Sequence, residues 1–427
     1  MLRSVLARPH RLFSHLRRHD CRSGAQLGRR ADQIISRSRS YTSSSEDDTD
    51  SDTDPLEAKL VAPNCTSPKQ RKGHLYVVLD DWKKGFSIHK LDLDDGSDGS
   101  RDLTLRPPVY RQATECFRWN FAAVGSKIVA AGEITNEGHG KEDNGVTLVY
   151  DTETAAMSIV PRLPTALRVP WFLATAARNG MYAFDGVSKK NTQYNVSMYH
   201  LEEAPPPTVS DACWWGTNDH WSWKSIPSQP PLNTYGVGMM KSIAVHPEGG
   251  ERIIFVSVGC SDPNRGQTYS YDVQSQEWKD HGDWGLPFHG QADYDTELDA
   301  WVGLHNRYER STKLDGYICS CDVVSPSGSS PRPASKLCKE RLFDPNTQIP
   351  SLLYMGDSTY CIVKVQELER YKSSRCAGRG NGSMISLSMF RLKYNKNGEL
   401  TITARQPDRS YLFSRYMSSF VVKAFWI

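Results

Sequence analysis

The 427-residue chain is long enough for one large domain or two ordinary ones, and 38% hydrophobic with 24% charged residues gives it a true core. No stretch approaches the roughly 20 apolar residues needed to cross a bilayer, which excludes a membrane-spanning helix. Ten cysteines scattered over this length, with no secretory signal ahead of them, exclude a disulfide framework, so the thiols are expected to be reduced.

In chain order, residues 1–45 come first, a basic segment with ten arginines and two acids, Asp20 and Asp32. Leu2, Val5, Leu6, Leu12, Phe13 and Leu16 recur at helical spacing between the arginines. Arg-rich, Ser-rich, acid-poor and amphipathic is the composition of an organelle transit peptide. Arg39, two residues before Tyr41, puts cleavage at Tyr41 and the destination in the mitochondrion. A disordered basic tail, serving a nuclear or cytoplasmic protein, is the alternative. Cutting after Tyr41 leaves 42 basic and 47 acidic side chains, net −5, so the rest of the chain has no electrostatic claim on nucleic acid.

Residues 46–72 form an acidic and polar linker that opens with "EDDTDSDTD", too polar to pack. Thr49, Ser51 and Thr53 suit an acid-directed kinase, but a solvated spacer is the preferred reading.

From residue 73 to 427, short apolar runs alternate with turns. "TLVYDTETAAM" (147–157) and "TYSYDVQSQEW" (268–278) share one grammar: Thr, Tyr and Asp end a strand, and Met157 or Trp278 begins the next. Asp151 and Asp272 are expected to cap the tight turn with their side chains. Six strands repeat the pattern, beginning at Gly73, Gly125, Arg178, Gly250, Leu298 and Gly356. A second strand follows each, such as "FSIHKLDLD", "YNVSMYHLE" and "SMISLSMFRL". Five are preceded by a further strand, such as "WNFAAVG", "WFLATAA" and "KSIAVHP", and most close with a strand such as "WKSIP" or "MSIVPRLP". Four strands at a period of roughly 50 residues predict an all-β β-propeller. The expectation is a single propeller of six four-stranded blades, with five or seven as the fallback. The apolar "SSFVVKAFWI" at residues 418–427 would supply the inner strand of the first blade and close the ring.

The units resemble kelch repeats, and residues 70–427 resemble an uncharacterised grass-plant domain-of-unknown-function kelch-like family. They depart from strict kelch in lacking the double glycine. "VAAGE", "AFDGV" and "SVGCS" keep one glycine each.

Two stretches interrupt the repeat. Residues 202–234 hold Trp214 and Trp215, which have no evident strand role and are candidate anchors for a protein partner. Residues 325–349 are Ser- and Pro-rich and read as a functional or disordered loop.

Motifs for chemistry are scarce. Cys319 and Cys321 form a C-x-C on one strand face, but no second ligand pair complements them for zinc. His15 and His19 lie in the basic segment, and "GRGNGS" (378–383) reads as a hairpin loop. Neither G-x-S-x-G nor H-E-x-x-H occurs, nor does the E-x-x-x-D-x-x-x-H iron motif of some plant kelch proteins. No cofactor, metal site or catalytic residue is therefore expected. The leading expectation is a monomeric, non-enzymatic protein-interaction module. The alternative is an enzyme, or a small-molecule or metal binder, using the mouth of the central channel. Convergent carboxylates and histidines there would favour the alternative; small apolar side chains would favour the module.

Overall fold

The computed structural model describes residues 73–80, 85–93, 103–113, 116–134, 145–160, 172–175, 180–188, 194–203, 221–228, 231, 240–248, 252–259, 266–306, 314–327, 331–345, 348–367, 381–415 and 422–427. Every regular element among them is a strand. The first sheet runs β26 (Lys423–Trp426), β1 (Leu75–Asp80), β2 (Phe86–Leu91) and β4 (Tyr110–Gln112). The second holds β5 (Cys116–Val124), β6 (Lys127–Ile134), β7 (Gly145–Asp151) and β8 (Met157–Val160). The third holds β9 (Phe172–Thr175), β10 (Gly180–Ser188), β11 (Tyr194–Glu203) and β12 (Trp221–Ser225).

The fourth sheet has eight strands. One half is β13 (Met240–Val245), β14 (Ile253–Gly259), β15 (Gly266–Asp272) and β16 (Glu277–Gly282). The other half is β17 (Phe288–Asp295), β18 (Ala300–His305), β19 (Ile318–Asp322) and β20 (Ser335–Leu337). The fifth joins β21 (Ser351–Tyr354), β22 (Thr359–Glu367), β23 (Asn381–Tyr394), β24 (Leu400–Thr403), β25 (Arg409–Arg415) and β3 (Leu103–Thr104).

This corrects the expectation of six separate four-stranded blades closed into a ring. The fold is all-β, multi-sheet and propeller-like, with five hydrogen-bonded sheets among the described residues. Two local causes account for the difference. On β17, His289 pairs with Leu304 and Asp293 with Val302, so Gly290, Gln291 and Ala292 together face Gly303 alone. Freed from β18, these three residues pair with Ser242, Ile243 and Ala244 of β13 in parallel, which fuses two units into one sheet. In the fifth sheet, the 14-residue β23 is too long for one partner. It takes β24 along Arg391–Tyr394 and β25 along Asn381–Leu387, and β3 then adds to β25 in parallel. The C-terminal strand lies beside the first: β26 pairs β1 from Leu75↔Trp426 to Val78↔Lys423.

The core lies between successive sheets. Tyr76, Phe86 and Ile88 pack against Trp119, Phe121 and Tyr150, while Tyr182 and Phe184 pack against Ile254 and Tyr271. Leu75 and Val77 pack against Val363 and Ile385 of the fifth sheet. All seven residues of β14 are buried, because neighbours cover both of its faces.

The repeated turn has the expected construction. Asp151 Oδ1 accepts from the backbone N–H of Glu153 and Thr154, and Asp272 Oδ1 from Gln274 and Ser275. Asp295 builds the same turn with Glu297 and Leu298. Four residues after each aspartate the backbone is left-handed, at Ala155, Gln276 and Asp299. The turn sets the next strand in register, pairing Tyr150 with Met157 and Tyr271 with Trp278.

The single glycines have a packing role. Trp119 of β5 lies over Gly132 of β6, and a Cβ there would meet the indole at 2.6 Å. Lys241 of β13 lies over Gly259 of β14, and Phe288 of β17 over Gly303 of β18, where a Cβ would meet their side chains at 3.0 and 2.8 Å. A glycine on the second strand thus admits a long side chain from the strand before it.

The stretch 325–349 is less loop-like than its composition suggests. It contributes β20 to the fourth sheet, and Cys338, Leu342 and Phe343 are buried in the core beside it.

Candidate functional site

Seven strands drawn from all five sheets, β5, β9, β13, β17, β18, β21 and β26, line one cleft of about 610 Å³. Across it, Gln291 and Thr175 hold β17 to β9 by two reciprocal bonds: Thr175 N donates to Gln291 Oε1, and Gln291 Nε2 donates to Thr175 O, each at 3.3 Å. Thr175 Oγ1 also donates to Ala123 O of β5 at 2.6 Å.

Four ionisable side chains face this space: Lys241, His289, Asp293 and Lys423. Two backbone irregularities set them there. The β13–β14 register slips between Met240 and Ser242, leaving Lys241 without an opposite residue on β14. The β17 bulge separates His289 from Asp293. Bulges re-aim side chains, and here both do so on one wall. Gly290, at φ +78°, lets the backbone make the turn, and a Cβ there would meet nothing within 4 Å.

Among the described residues, none of these four side chains forms an ion pair or hydrogen bond with another protein group. Four such groups gathered on one cleft without protein partners leave their charge and hydrogen-bonding capacity to whatever enters it. Enclosure raises the Asp293 carboxyl to about 7 by withholding water from its charged form. His289 is lowered to about 4, first by desolvation and then by repulsion from Lys423 and Lys241. Desolvation lowers Lys423 as well, although its side chain stays exposed to solvent. At neutral pH the imidazole is uncharged and the carboxyl is shared between its two forms.

The cysteine pair on β19 lies elsewhere. Cys319 and Cys321 are buried free thiols, and burial drives the Cys321 thiol up to about 12. Such thiols are inert. Among the described residues no group of three His, Cys, Asp or Glu could hold a metal ion, and no helix is long and apolar enough to cross a membrane. Trp214, Trp215 and Tyr41 lie outside the described residues, as does the first half of the "GRGNGS" segment, whose second half opens β23.

Sequence reasoning missed His289 and Asp293. Lys241 and Lys423 stood inside segments read as strands, with no site assigned to them. The available signal was the polar run His289–Asp293 in a strand position that should have been apolar on one side.

Solved structures of distantly similar fold include a protein assigned as a 6-phosphogluconolactonase from Bacteroides uniformis, 11% identical, TM-score 0.41, covering 78% of this chain and 83% of that one. A nidogen/laminin complex matches with 9% identity, TM-score 0.40 and coverage of 80% and 97%. A GH43_1 enzyme from Xanthomonas citri matches with 10% identity, TM-score 0.34 and coverage of 66% and 88%. No match was found among curated proteins. The expectation of a non-enzymatic protein-binding module is corrected. The cleft is lined by a carboxyl, an imidazole and two amines where such a module calls for small apolar side chains. Residues 72–411 match the model described as "Protein of unknown function (DUF1668)", and the chain belongs to that family.

Proposed function

We propose that the protein binds a small polar molecule in the central cleft and carries out acid–base chemistry on it. Asp293 gives and takes the proton. The observation that carries this reading is the convergence of Lys241, His289, Asp293 and Lys423, unpaired among the described residues, on one cleft. A carboxyl titrating at about 7 suits either direction of proton transfer at neutral pH. Neutral His289 can accept or donate a hydrogen bond to the bound molecule, and the lysines orient it.

The test is a thermal-shift screen of a metabolite library on the full chain, repeated on Ala123→Trp, which fills the cleft. Compounds that stabilise the native protein and lose their effect in Ala123→Trp support the reading. A library with no such compound sinks it. For each compound that passes, turnover by the native protein that falls at least 100-fold in Asp293→Asn supports the proton-transfer role.

Three finer readings accompany this proposal. A kelch identity is supported by the Tyr–Asp turns at 150–151 and 271–272 and by glycines 132, 259 and 303. Residues 1–45 direct the chain to mitochondria, which a fluorescent-protein fusion tests; nuclear or cytosolic signal rejects it. Trp214 and Trp215 anchor a partner, and loss of a captured protein in the doubly alanine-substituted chain tests that separately.

A further inference from the structure

The cleft's charges identify the kind of molecule it takes, an inference that rests on the small-molecule reading above. Lys241 and His289 stand side by side across the parallel ladder, each one residue before the paired Ser242 and Gly290. Lys423, from the opposite end of the chain, is close enough to act electrostatically on the same imidazole. Three nitrogen-bearing side chains therefore crowd one part of the wall. Asp293 is the only acidic side chain among the described lining residues.

This crowding is built into the fold. A lysine stem can run along β13 toward the cleft because position 259 has no side chain. The bulged register leaves Lys241 without an opposite residue on β14. Lys423 comes from β26, which is fixed by its pairing with β1. The two amines, with no carboxylate partner among the described residues, both act against a charge on the imidazole. An anion beside them would be attracted to both and would offset that repulsion. Four residue steps of strand run from His289 to Asp293, at most about 13 Å, and the bulge shortens that run. A molecule reaching from the lysines to Asp293 is then about the size of one sugar.

We infer that the ligand is a sugar-sized organic anion, a carboxylate or a phosphate ester, whose charged group sits between Lys241 and Lys423 beside His289 while its uncharged end reaches Asp293. The carboxylate and the phosphate ester share the chemistry the lysines recognise, two or three oxygens carrying negative charge.

Isothermal titration of the full chain with glucose 6-phosphate, glucuronate and neutral glucose separates the possibilities. At least one anion is expected to bind, with affinity that falls as salt is added, while glucose does not. Whichever anion binds more tightly identifies the charged group. Lys241→Met and Lys423→Met should each weaken that anion about 10-fold or more, and Lys423→Arg should restore most of the loss. Melting curves establish that each variant is folded. A proton should be taken up on binding, because the anion draws Lys423 and His289 toward their charged forms, and titration in buffers of different ionisation enthalpy reads it. Glucose binding as tightly as the anions, or anion affinity unmoved by both methionine variants, overturns the inference. If the screen's cleft ligands are neutral and lost only in Ala123→Trp, the anion inference fails and the cleft reading stands. If anions bind equally well to Ala123→Trp, both fail.

Discussion

Tyr360 donates its hydroxyl hydrogen to Oδ2 of Asp295 at 2.8 Å, joining the fifth sheet to the fourth across 65 positions of sequence. The same carboxylate is fully buried and accepts from Ser358 Oγ at 2.8 Å and from the backbone N–H of Glu297 and Leu298. No cation approaches it within ion-pair distance among the described residues, so four hydrogen bonds replace its water. Burial and this carboxylate push the Tyr360 hydroxyl well above its ordinary range. Asp295→Ala should therefore cost about 3 kcal/mol or more, because two hydroxyls and two amides lose their acceptor together. Tyr360→Phe should cost about 1–3 kcal/mol, and the double variant less than the sum. Urea denaturation of the four proteins measures this, and strict additivity would contradict a shared network.

Gly303 faces the three bulged residues of β17 and lies beneath Phe288. A methyl group there would meet Phe288 Cδ1 at 2.8 Å and Ala292 Cβ at 3.3 Å. Gly303→Ala should destabilise the fold by about 1–3 kcal/mol through overpacking. It should also weaken cleft ligands, since the displaced bulge carries His289 and Asp293. A variant with native stability and native binding would show that the bulge tolerates the added carbon.

The pH dependence of stability contains two opposing slopes. His289 titrates at about 4 in the folded chain against 6.5 in the unfolded one, so between those values the unfolded chain binds the extra proton and stability falls with falling pH. Asp293 titrates at about 7 against 3.8, so over that range the folded chain binds the extra proton and stability rises with falling pH. Between pH 6.5 and 4 the two largely offset each other. Asp293→Asn should expose the falling slope and His289→Gln the rising one, as read by urea denaturation across this range. Parallel profiles for the two variants would refute the assignment.

Gln276 holds a left-handed conformation, φ +58°, at the end of the Asp272 turn. Glycine adopts this without the Cβ clash, so Gln276→Gly should stabilise by about 0.5–1 kcal/mol. Gln276→Val should destabilise by about 1 kcal/mol or more, because a branched Cβ suits that region worst. Asp272→Ala removes the acceptor for two turn amides and should cost about 1 kcal/mol. Melting temperatures in the order glycine, native, valine would agree; the reverse order would not.

Much of the strand order was legible because strands buried on both faces write themselves as apolar runs between turns. "RIIFVSVG" and "TYCIVKV" are of this kind, and the Asp151 and Asp272 turns announced both the turn and the partner strand's register. The β17 bulge was not legible. "FHGQADYD" has neither an apolar run nor clean alternation, since its middle residues give up one neighbour for another and turn polar groups into the cleft. The cleft was hidden for the same reason. Its four ionisable groups come from three strands spaced across nearly two hundred residues, and no local spacing rule links them. Residues 325–349 misled by composition: serines and prolines dominate the count, while Cys338, Leu342 and Phe343 do the packing.

The pairing of Leu75 with Trp426 also sets a timetable. Translation proceeds at about 5–20 residues per second, so on the order of 20–70 seconds pass between the appearance of β1 and of the strand that covers its edge. Throughout that interval Leu75, Val77 and Val78, all without solvent exposure in the folded protein, belong to a strand with one open side. That open apolar edge exposes the nascent chain to mispairing for most of its synthesis. Its yield in a foreign host should depend on that exposure more than on the stability of the finished fold.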